Sequence, residues 1–151
     1  MSGWPILIFL SLIYNNALAA FTPESVKPGQ TSDNELRTLL GRPAQVVREG
    51  TREYHFYQLG IGATMDATVA LRGGVVEYVT YLCEETLESV KLKFKDEQSV
   101  TTGVRGQGAG LSGGLSQLTF PAQGKGFLYK PKSRKVKACV AWVPGRKFDE
   151  I

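Results

Sequence analysis

The sequence predicts an α+β fold: tandem helix-plus-antiparallel-meander repeats that form one curved antiparallel sheet with short helices on one face. Three observations predict it. Two short apolar-faced helices follow hydroxyl caps, at Ser32 and at Thr86. Runs rich in β-branched and aromatic residues follow each helix, and the linkers between them are too short for parallel crossovers. The order of one helix and then four strands occurs twice.

Residues 1–20 read as a secretory signal peptide. Trp4 to Tyr14 is almost wholly apolar, and Ala17-Leu18-Ala19-Ala20 supplies the small-x-small triplet that signal peptidase reads. An apolar core of about 11 residues falls short of the roughly 20 that cross a bilayer as a helix, so cleavage is expected over anchoring. No Lys or Arg precedes Lys27, which weakens the charged start of the signal, and no cysteine after Ala20 offers a thiol for lipid attachment. Residues 21–151 then make a single α+β domain, with pseudo-repeats at about 31–84 and 85–144, that works in a secreted or periplasmic location.

Phe21 to Gln30 carries Pro23, Pro28 and Gly29 and reads as an extended lead-in. Ser32-Asp33-Asn34-Glu35 is a capping box, Leu36, Leu39 and Leu40 share one helical face, and Gly41 with Pro43 stops the turn. Strand runs follow at Ala44 to Arg48, Arg52 to Gln58, Thr64 to Leu71 and Val75 to Cys83, parted by Glu49-Gly50, Gly60-Ile61-Gly62 and Gly73-Gly74. In the last of these only Glu77 is charged, so both faces read as partly covered. Thr86 caps a second helix with Leu87, Val90, Leu92 and Phe94 as its apolar positions. Four more strand runs follow at Gln98 to Gly103, Leu115 to Phe120, Gly126 to Lys130 and Val136 to Val143.

A capped helix ending in Leu39-Leu40-Gly41-Arg42-Pro43, an aromatic strand Tyr54-His55-Phe56-Tyr57, and a Gly73-Gly74 hairpin into Val75-Val76-Glu77-Tyr78-Val79 together resemble a known group. They resemble the SmpA/OmlA (BamE-like) and β-lactamase-inhibitor-protein-like domains over about Asp33 to Leu82, and more distantly beyond. The resemblance implies a non-catalytic extracytoplasmic module that binds a protein partner through aromatics on a concave sheet. The chain lacks the lipidated cysteine of the assembly lipoproteins, which puts a barrel-assembly role in doubt.

The formal net charge of +4 lies entirely beyond residue 20, much of it late in the chain. Lys130, Lys132, Arg134, Lys135 and Lys137 form a basic patch that suits an anionic lipid or polymer, or else a solvated strand edge kept from aggregating by lysines. No nucleic-acid partner is expected. Cys83 and Cys139 are an even pair in an exported chain, which fits a single disulfide; two separate buried thiols are the alternative.

Two motif strings lie in the glycine-rich stretch. Gly108-Ala109-Gly110-Leu111-Ser112-Gly113 spells a dinucleotide fingerprint, but Leu115 to Phe120 behind it reads as a strand and not the required helix. Gly110-Leu111-Ser112-Gly113-Gly114 spells a nucleophile elbow. The lone histidine, His55, precedes Ser112, against the chain order of hydrolases, and reads as a strand residue that faces water or satisfies a hydrogen bond. One histidine and two distant cysteines give no metal-ligand spacing, so neither metal nor cofactor is expected.

What remains is aromatic: the strands carry more tyrosine and tryptophan than a small core needs. The expected function is an exported non-catalytic protein-binding or scaffolding module of the cell envelope or extracellular space, with Tyr57, Tyr78, Tyr81 and Trp142 as the partner-binding residues. Basic surface attachment is the alternative, and a small serine hydrolase using Ser112 the least favoured reading.

Overall fold

A computed structural model describes residues 25–58, 66–104 and 114–147. The stretch read as a signal peptide, residues 1–20, and Ser112 lie outside the described residues.

Helix α1 spans Asp33–Leu40. The Ser32 hydroxyl accepts from the backbone N–H of Glu35, and the Glu35 carboxylate accepts from the Ser32 N–H at 2.8 Å, so the capping box closes in both directions. Helix α2 spans Leu87–Lys93 and is capped by Thr86, whose hydroxyl accepts from the Ser89 N–H at 3.1 Å. The strands are β1 (Gln45–Glu49), β2 (Arg52–Tyr57), β3 (Ala67–Arg72), β4 (Val75–Leu82), β5 (Val100–Val104), β6 (Leu115–Phe120), β7 (Lys125–Tyr129) and β8 (Val136–Trp142). They form one eight-stranded antiparallel sheet in the order β1-β2-β3-β4-β8-β7-β6-β5. The sheet edges are therefore β1 and β5, and β4 and β8 meet at its centre.

Both helices pack on the same face. Leu36 of α1 sits with Tyr57, Val69, Leu71, Val76 and Val79, while Leu87 and Val90 of α2 sit with Leu118, Phe120, Phe127, Val136 and Cys139. Tyr81 borders both clusters and joins them into one core layer. Phe94 stacks on Phe120 with ring centroids 4.5 Å apart, and Phe120 meets Phe127 edge-on.

The fold class is corrected by these elements. The chain is mostly β, one continuous eight-stranded sheet with two helices of eight and seven residues, and not an α+β array of repeated helix-and-strand units. The helices are minor because their apolar stripes are narrow. Leu39 and Leu92, expected as core positions, are 37% and 73% exposed, and Phe94 is the C-cap of α2 instead of part of it.

Candidate functional site

Strand alternation sends every second residue to the face opposite the helices, which no helix covers among the described residues. One row of that face runs across four strands: Tyr54 on β2 pairs with Ala70 on β3, Ala70 with Tyr78 on β4, and Tyr78 with Trp142 on β8. Ala70 is fully buried, and its small side chain lets the two tyrosines close over it. Tyr54 hydrogen-bonds with Arg52 and with Tyr78. Burial pushes the Tyr78 hydroxyl above its ordinary range, with Tyr54 adding to the effect. Phe56, one row along, is half-buried beside them.

The neighbouring row places Arg52 and Arg72 directly opposite each other. A β-bulge in β4 delivers the acid that holds them. Leu71 pairs with Val76 and Ala70 with Tyr78, so Glu77 has no register partner and its side chain joins the arginine row. Arg52 donates from Nε at 2.7 Å and from Nη2 at 3.2 Å to the two Glu77 oxygens, and Arg72 adds a contact at 3.2 Å. Glu77 is 8% exposed, whereas the Arg72 side chain is 52% exposed. The hydrogen bonds that Arg52 donates to Glu77 raise the already high pKa of its guanidinium. The arrangement is a cationic rim beside an aromatic patch.

The residues predicted for partner binding divide. Tyr78 lies on this face and is half-exposed. Trp142 shares its row but is 1% exposed: its ring lies over Gly126, where an added Cβ would meet the ring at 3.0 Å, and its Nε1–H donates to the Arg146 carbonyl at 2.8 Å. Tyr57, 1% exposed, and Tyr81 lie on the helix-covered face, as packing in the core clusters requires. Tyr57 and Trp142 are therefore corrected from contact residues to core residues. Arg52, Tyr54, Phe56, Arg72 and Glu77 carry the site with Tyr78 and were not singled out from sequence as a unit. The signal available was Glu77, the one charge in a strand that otherwise reads as covered.

His55 is not on this face. It is fully buried under α1, with Nε2 3.3 Å from Glu53 and Nδ1 3.8 Å from Asp33, and Nδ1 has no hydrogen-bond partner among the described residues. Of the two expectations for His55, facing water is corrected by its burial, while a hydrogen-bonding partner is present at Nε2. Among the described residues no three His, Cys, Asp or Glu side chains are placed to hold a metal ion.

Cys83 and Cys139 are joined in a disulfide, with Cα atoms 5.8 Å apart, across the β4–β8 junction. Such bonds persist in oxidising compartments outside the cytoplasm. Lys130, Lys132, Arg134, Lys135 and Lys137 are all exposed on and beside the turn between β7 and β8.

No family description and no curated protein matches the chain. Among solved structures it is similar to an extracellular protein containing a SCP domain from Bacillus anthracis str. Ames, with a TM-score of 0.54 and 12% identity. The match covers 82% of this chain and 46% of that one, so this chain spans less than half of that protein's length. At this identity the likeness is one of fold.

Proposed function

We propose that the chain is an exported, non-catalytic protein-binding module whose partner docks on the face opposite the helices. The observation that carries this reading is the half-buried set Tyr54, Phe56 and Tyr78, rimmed by Arg52 and Arg72 on a face that no helix covers among the described residues. Tyrosine and arginine are the residue types that anchor interfaces, since each joins a large contact area to fixed hydrogen-bonding geometry. Export is supported by the Cys83–Cys139 bridge, by the apolar start of the chain, and by the extracellular description of the structurally similar protein. The resemblance to partner-clasping inhibitor domains points the same way.

The test is site-directed photo-crosslinking in the native envelope or culture fluid, with the reactive group at position 56 or 68 on this face and, as control, at position 38 on α1. A single saturable protein adduct from the sheet positions, absent from position 38 and lost in the Tyr54→Ala/Tyr78→Ala double variant, is expected. Equal labelling from all positions, or substrate turnover that disappears with Ser112→Ala, would overturn the reading.

A further inference from the structure

The topology changes the meaning of the lysines. Exposed lysines commonly guard sheet edges, but here the edges are β1 and β5, while β7 and β8 are interior strands whose backbones are paired on both sides. Lys130, Lys132, Lys135 and Lys137 therefore protect no edge. They cluster at a hairpin tip, Lys130 to Lys135, with Lys137 beside the register shift that opens β8 opposite Leu128 and Tyr129.

Nearby acids do not neutralise them. Glu88 is engaged by Arg134, and Glu85 accepts from Lys93 at 2.7 Å. Glu84 is the remaining acid beside the hairpin, and among the described residues none of the four lysines makes an ion pair. The tip is built to hold its shape: Arg134 takes a left-handed φ of 54°, its N–H donates to the Lys130 carbonyl at 2.8 Å, and the Lys130 N–H donates to the Lys135 carbonyl at 3.1 Å. Its backbone is further fixed to α2 by the Leu87 N–H on the Arg134 carbonyl at 3.0 Å.

We infer that this hairpin is an electrostatic contact for an anionic lipid bilayer. Four exposed ammonium groups on one short hairpin, held in place by its backbone bonds to the start of α2, can meet a plane of phosphates together. Between Lys130 and Lys135 the sequence Pro131-Lys132-Ser133-Arg134 offers no large apolar side chain to insert, so the contact is one of charge, reversible and screened by salt. It would hold the module at a membrane surface and leave the tyrosine face available.

Co-sedimentation with vesicles tests this, using phosphatidylglycerol–phosphatidylcholine mixtures against phosphatidylcholine alone. Wild type is expected to partition to the anionic vesicles only, and to be released as salt rises past physiological strength. Each lysine replaced by glutamine should weaken partition about fivefold, so the quadruple Lys130, Lys132, Lys135 and Lys137→Gln variant should lose it while keeping its melting temperature. A charge-matched variant with Lys27, Arg42, Lys95 and Lys147→Gln should bind far better than the quadruple. Failure of wild type to bind anionic vesicles, or equal loss in the two variants, would overturn the assignment. Preferential binding to soluble polyphosphate at the same phosphate concentration would overturn it in favour of a polymer.

Discussion

Arg52 and Arg72 are cross-strand partners on β2 and β3, and the carboxylate of Glu77 reaches both. Like charges directly opposite in a sheet repel, so this pairing depends on the bulge that sets Glu77 beside them. Glu77→Gln removes the charge while keeping the shape. Breaking a buried ion pair costs up to several kcal/mol, but Arg72 is half in water, so a loss on the order of 2 kcal/mol is expected. The midpoint of a denaturant titration checks it. The double variant Glu77→Gln/Arg72→Thr should recover part of the loss, because the repulsion is then gone.

Tyr57 carries a hydroxyl that is buried without a hydrogen-bond partner among the described residues. Burial first, and Asp33 second, push its pKa from 10.0 to about 12, against a smaller opposing effect of Arg37. Between those values the fold keeps a proton that the unfolded chain has released, so stability falls as pH rises through 10 to 12. The loss amounts to roughly 3 kcal/mol. Tyr57→Phe should be neutral or slightly stabilising at pH 7, since it removes an unsatisfied polar atom, and should flatten the alkaline slope. Tyr78, also shifted upward, accounts for part of the slope that remains. Thermal melts of both proteins across the alkaline range measure the difference.

Local chemistry made most elements legible in the sequence. Ser32 and Glu35 announced α1, Thr86 announced α2, and the glycine-parted β-branched runs announced the strands, because caps and turns act within a few residues. The weight of helix against sheet was not legible. Whether Leu39 and Leu92 are covered depends on how the helices lie on the sheet, which residue spacing does not contain. The sheet faces were hidden for a related reason. The bulges at Glu77 and near Lys137 reverse the alternation locally, whereas strict alternation along β4 would set Tyr78 on the side of Val76 and Glu77 on that of Val79. The register separates Val76, in the core, from Tyr78 on the opposite face.

The Cys83–Cys139 bridge closes a loop with a sequence separation of 56 across the centre of the sheet. In the chain-entropy model a loop of that size restricts the unfolded ensemble by about 4 kcal/mol. Cys83→Ser/Cys139→Ser should lower stability by up to that amount, with Cys139, 3% exposed, adding a cost for its buried hydroxyl. Denaturant unfolding of wild type with and without reductant should give a shift of the same sign. Intact mass under non-reducing conditions should show wild type two hydrogen masses below the reduced chain.

Gly124 and Gly145 both have positive φ, 59° and 84°, but only one is confined. Gly124 ends the turn Pro121–Gln123 in left-handed conformation, and its carbonyl accepts from the Trp142 N–H at 2.9 Å. A Cβ placed there would lie 2.2 Å from the Trp142 carbonyl oxygen and 3.0 Å from the Pro144 nitrogen, both backbone atoms of the segment that the Trp142 N–H to Gly124 and Gly145 N–H to Pro121 hydrogen bonds hold against this turn. At Gly145 the corresponding space is open. Gly145→Ala should therefore cost about 1 kcal/mol, the ordinary strain of a left-handed alanine. Gly124→Ala must also displace the strand that carries Trp142, and a cost of at least about 3 kcal/mol is expected. Unfolding free energies of the two variants, with tryptophan fluorescence as the probe of Trp142, make the comparison. Equal costs would mean that the β7–β8 backbone yields at Gly124 instead of resisting.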